Sequence, residues 1–156
     1  MNRLALLAVG VAGLTVVAAG PAAASPAAAT PAAAADQTVT TCGNSGLQAG
    51  LATRLCAEVI GTAVEFHGRV GLAGPPSPGS PTPAPKELFT TLSVEVVGAG
   101  TPPVTQDRPV VFTSTTLEVH GPAITAPCGA TVRGTFGVAS FPWSARPVVH
   151  EVTLTC

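Results

Sequence analysis

"TAVEFHGRVGL", running from Thr62 to Leu72, alternates strictly through its first half and again at its end. Val64, Phe66, Val70 and Leu72 fall on one parity; Glu65, His67 and Arg69 fall on the other. Successive side chains of an extended strand point to opposite faces. This spacing therefore sets an apolar row against a core and leaves a polar row in water. The same grammar returns further along. In "LFTTLSVEVVG" Leu88, Leu92, Val94 and Val96 oppose Thr91, Ser93 and Glu95. In "PVVFTSTTLEVHG", read as one segment, Val111, Leu117 and Val119 alternate with Ser114, Thr116, Glu118 and His120. "ATVRGTFGV" sets Val132, Phe136 and Val138 against Thr131, Arg133 and Thr135. "PVVHEVTLTC" sets Val152, Leu154 and Cys156 against Glu151, Thr153 and Thr155, with His150 on the inner parity. Five such segments rich in β-branched residues predict an all-β domain. Its expected form is a small antiparallel β-sandwich of Ig-like or Greek-key type, two sheets each with one wet face.

One phrase occurs twice, as "VEFHG" (Val64–Gly68) and "LEVHG" (Leu117–Gly121). Glu65 and His67 share a face, and so do Glu118 and His120. If the two strands are neighbours in register, two carboxylates and two imidazoles gather together. That set suits a divalent ion, or a carboxylate orienting a histidine for base work. A third segment, Val94-Glu95-Val96-Val97-Gly98, keeps the template and lacks the histidine. The phrase is therefore read mainly as strand-end grammar, with an outward acid and a glycine where the chain turns.

Cys42, Cys56, Cys128 and Cys156 form an even set in a short chain. They are expected as two disulfides, Cys42–Cys56 and Cys128–Cys156, because local pairing closes the shorter loops. A zinc site wants close pairs such as C-x-x-C, and none is present.

Two stretches break the alternation. "NSGLQAGLATRLCAEVIG" (Asn44–Gly61) places Leu47, Leu51, Leu55 and Val59 four apart, a helical spacing with a cap at Asn44 or Ser45. Gly46 and Gly50 weaken a helix by roughly 1 kcal/mol each. The alternative is a hairpin closed by Cys42–Cys56. The reading adopted is irregular structure or a short helix, with a strand from about Leu55. "AGPPSPGSPTPAPKE" (Ala73–Glu87) holds six prolines and is excluded from a sheet interior. It is expected as an exposed, partly polyproline connection, and Pro76 and Pro78 are candidate partner contacts on it. "SFPWSARP" (Ser140–Pro147) reads as a turn whose Phe141 and Trp143 cap one end of the core. Trp143, the only tryptophan, is a further candidate contact.

The N-terminus has the pattern of an export signal: Arg3, then an apolar and small-residue run from Leu4 to Ala19, then small residues before a cleavage site. Residues 1–24 are expected as the signal peptide, cleaved after Ala24, with Ala29 and Ala35 as alternatives. Residues 25–36 form an Ala/Pro-rich leader without a large apolar side chain, expected to be disordered. Residues 37–156 form the folded domain. No lipid anchor and no stable membrane anchor is expected after cleavage. Lys86 is the only lysine, isoleucine occurs twice and tyrosine is missing, a usage that suggests a high-GC Gram-positive bacterium.

Seven basic residues, Arg3 among them, stand against eight carboxylates. A slightly acidic chain argues against nucleic acid and anionic membrane surfaces as partners. No G-x-S-x-G, phosphate-cradling or paired-carboxylate cleft pattern is present. The expected function is therefore a non-catalytic, secreted β-sandwich without cofactor. It acts by binding a protein or cell-envelope partner outside the cell, and association with the cell wall is part of that reading. The alternatives are an inhibitor of an extracellular hydrolase using the proline-rich connection, and a metal-binding or enzymatic protein using Glu65, His67, Glu118 and His120. A structural envelope component is a third class.

Overall fold

A computed structural model describes residues 37–75, 77–79, 81–113 and 115–156. The expected signal peptide (1–24), the leader (25–36) and Pro76 lie outside the described residues. Within them the chain forms strands β1 (Val39–Cys42), β2 (Gly46–Gln48), β3 (Leu51–Ile60), β4 (Ala63–Leu72), β5 (Lys86–Val96), β6 (Val104–Phe112), β7 (Leu117–Thr125), β8 (Thr131–Ala139) and β9 (Val148–Thr153). All pairings are antiparallel. One sheet runs β1-β3-β4-β7, with β2 also on β3; the other runs β6-β5-β8-β9. The chain leaves the first sheet after β4, returns at β7 beside β4, and leaves again for β8 beside β5. These are Greek-key returns between two layers. The expected β-sandwich is the observed fold.

The alternation does what the period predicted. Leu55, Val64, Phe66, Val70, Leu88, Leu92, Val94, Val132, Phe136 and Val138 meet in one core between the layers. Outward rows pair across strands. Arg133 lies between Glu95 and Glu151 on the second sheet and bonds both, at 3.1 and 2.6 Å. The two acids hold its guanidinium pKa above the ordinary value.

Three expectations are corrected. The Asn44–Gly61 stretch contains no helix; it is the β2–β3 hairpin. Its four-residue leucine spacing also satisfies period two, and Ala49 and Gly50 both adopt positive φ (50° and 77°), as a two-residue hairpin turn requires. The segment Pro109–Gly121 is two strands, β6 and β7, in different sheets. The break falls between Phe112 and Leu117, where Thr113, Thr115 and Thr116, polar residues with strand propensity, hide a crossover in the text. Finally, the glycine of the repeated phrase does not mark a turn. Gly68 and Gly121 lie inside β4 and β7, facing inward: a Cβ on Gly68 would enter the Phe136 ring, and one on Gly121 would strike Leu92. Only Gly98, at φ 80° just past β5, turns the chain.

Both expected disulfides form. Cys42–Cys56 joins directly opposed residues of β1 and β3, with 4.0 Å between Cα atoms. Cys128–Cys156 ties the β7–β8 connection to the segment after β9, with 5.6 Å between Cα atoms. No free cysteine stands among the described residues.

Candidate functional site

Two places in the sandwich collect chemistry. The first is one end of it, reached by tracing register. Leu51 pairs with Gln48 and Leu72, Lys86 pairs with Phe112, and Phe89 pairs with Ala139. The β2–β3 turn, the proline-rich β4–β5 connection, the β6–β7 crossover and the β8–β9 loop therefore leave the sheets at the same end. Lys86 Nζ donates to Ala49 O at 2.6 Å and fastens the proline-rich segment beside the β2–β3 turn.

Gln48 anchors this end. It is buried at 2% exposure and makes four hydrogen bonds. Its Nε2 donates to Thr53 Oγ1 (2.9 Å) and Phe136 O (3.1 Å); its Oε1 accepts from Val138 N (2.9 Å) and Arg146 N (3.2 Å). One amide thus joins the two sheets and holds the β8–β9 loop. Backbone bonds between Ser140 and Trp143 close that loop into a tight turn. Phe141 and Trp143 do not belong to the core and do not cap it. They stand outward at 94% and 63% exposure, which corrects the expectation from sequence. Trp143, Ser144 and Arg146 face Leu47, Gln48, Ala49 and Gly50 across a cleft of about 280 Å³. Leu47 is exposed as well. Pro78 lies in an exposed turn of the proline-rich connection.

The second place is the outer face of the first sheet. β4 and β7 are neighbours, and His67 lies directly opposite His120. Their ring centres are 6.0 Å apart, tilted by 36°. Glu65 Oε1 accepts from His120 Nδ1 at 3.0 Å. Glu118 stays out of this group; its carboxylate is held by Arg69 at 3.1 Å. A bulge between Glu65 and His67 in the β4–β7 ladder, taken up at Gly121 and Pro122 of β7, aims Glu65 at His120. The condition set by the sequence, neighbouring strands in register, is met for three of the four residues. His120 is open to solvent, whereas His67 is only 7% exposed. Cys56 lies opposite His67 on its other side, so the disulfide and the His120 ring wall it in. Among the described residues no group of three or more His, Cys, Asp or Glu side chains is gathered closely enough to hold a metal ion by itself.

His150 lies on the inner parity of β9, at the rim of the core, as its spacing predicted. Its ring meets Phe66 edge-on at 6.4 Å, and Nε2 bonds Thr41 Oγ1 at 3.0 Å. Burial pushes its pKa below the ordinary value; the Thr41 bond opposes this and the Arg54 charge adds to it.

Sequence reasoning missed Gln48, Leu47 and Arg146. The available signal was a single amide side chain flanked by apolar residues and followed at once by Ala-Gly, the mark of a strand ending in a two-residue turn. Compared with known proteins, the chain matches no family model, no curated sequence and no solved structure.

Proposed function

We propose that the protein is a secreted, non-catalytic binding protein, and that its contact surface is the end of the sandwich bearing Trp143. The observation that carries this reading is the outward placement of Trp143 and Leu47 on the two walls of one cleft, with Phe141 exposed on the same loop as Trp143 and that loop held from below by Gln48. Large apolar side chains left in water at the tip of a fixed loop are the usual anchors of an interface. Arg146 adds a charge-assisted donor at the rim. Two disulfides fit folding in an oxidising compartment, which supports export. The partner is a protein or an envelope component.

The inhibitor reading has less support. Neither disulfide braces the proline-rich connection: Cys42–Cys56 joins the edge strand β1 to the midpoint of β3, and Cys128–Cys156 lies at the other end of the sandwich.

The test is affinity capture from culture medium and solubilised cell wall, using the purified wild-type chain and Trp143→Ala side by side. A partner retained by wild type and lost with Trp143→Ala is the expected result. Equal retention by both moves the contact surface away from this end.

A further inference from the structure

We propose that His67 and His120 form a two-imidazole site for one divalent transition-metal ion, with Cu²⁺ preferred over Zn²⁺, on the outer face of the first sheet. An ion about 2.0 Å from one nitrogen of each ring lies roughly 3.2 Å from each ring centre, so two rings sharing it stand about 5 to 6.4 Å apart. The observed separation is 6.0 Å. The Glu65–His120 bond fixes the tautomer: a carboxylate only accepts, so Nδ1 carries the proton and Nε2 presents its lone pair. A carboxylate behind a histidine is the arrangement that orients and strengthens a metal-bound imidazole.

Two further observations point to a cation. His67 is more than nine-tenths buried, yet no hydrogen bond from the described residues reaches its ring. No fully enclosed side-chain polar atom lacks a partner, so its nitrogens still meet solvent, on a ring already ordered by packing. One row away, Glu58 lies directly opposite Glu65, two carboxylates on adjacent strands. Like charges so placed oppose each other, and a bound cation relieves them. Two imidazoles leave the remaining coordination positions to water, which makes the site open. Imidazole nitrogens suit both ions, and the affinity order of the divalent first-row metals peaks at Cu²⁺, above Zn²⁺.

The experiment titrates CuCl₂ and, separately, ZnCl₂ into the full chain, followed by calorimetry at pH 7.5 and by histidine ring NMR signals. One ion per chain is expected, with shifts confined to His67 and His120. His120→Ala, an exposed substitution that leaves the core intact, reduces affinity at least tenfold. Glu65→Gln reduces it by about 10–100-fold, and His150→Ala leaves it unchanged. Binding unaltered by His120→Ala, or no saturable binding of either ion at micromolar concentration, overturns the proposal.

Discussion

The ring of Phe66 rests on the bare α-carbon of Gly134, and any Cβ at position 134 would enter that ring. Phe136, two residues further along β8, makes the reciprocal contact over Gly68 of β4. Each sheet thus supplies one aromatic knob and one glycine hole, and both rings are fully buried. The spacing of the sandwich at its centre is set by these two contacts. Gly134→Ala and Gly68→Ala are each expected to destabilise the protein by about 1–3 kcal/mol through overpacking. Phe66→Ala costs about 3–5 kcal/mol. Urea denaturation checks both. The double variant Phe66→Leu/Gly134→Ala should lose less than the sum of its singles, because the two sites share one volume.

Gln48 is the polar counterpart of that contact. Gln48→Leu keeps a similar volume and leaves Val138 N and Arg146 N without their acceptor, at a cost of about 1–3 kcal/mol. Amide hydrogen exchange should accelerate at Val138 and Arg146 while the β3–β4 ladder stays protected. Unchanged exchange at Arg146 would show that the loop carrying Trp143 is held by something else.

The two disulfides should respond differently to reductant. On the chain-entropy model the spans of 14 and 28 residues correspond to about 3 and 3.6 kcal/mol. Cys128 and Cys156 are exposed, whereas Cys56 is fully buried beside His67. Stepwise reduction followed by mass spectrometry should open Cys128–Cys156 first. Replacing Cys42 and Cys56 together by Ser should cost more than the loop term alone, since Cys56 also packs.

His150 gives the fold an acid sensitivity of defined sign. Its folded pKa lies below the ordinary 6.5, chiefly through burial. The unfolded chain therefore takes up this proton first as pH falls. The contribution of His150 to stability is complete above pH 6.5 and declines below it, down to the folded pKa. Melting curves from pH 7.5 to 5.5 should show a steeper loss for wild type than for His150→Gln. Parallel curves would remove His150 as the cause.

Much of this fold is legible in the sequence. The parities of Val64, Phe66, Leu88, Leu92, Val132 and Val138 named the core, since a period of two admits only one inner face. The cysteine pairing followed from loop length. What misled was local. The leucines of Asn44–Gly61 fit two periods at once. Phe141 and Trp143 look like core residues by composition alone. The glycines after His67 and His120 look like turns when no opposing side chain is visible. The histidine pair was half legible: each Glu-x-His could be placed on one face, but whether the two faces met depended on β7 returning beside β4.

The amino-acid order by itself determines which side chains point inward along each strand, because that depends on neighbours one and two residues away. The tertiary structure decided which strands pair, that Phe66 finds Gly134, that Gln48 reaches Val138, and that His67 faces His120. Those contacts join residues some 50 to 90 positions apart. They are settled by how two sheets fill one volume, and no local pattern along the chain encodes that.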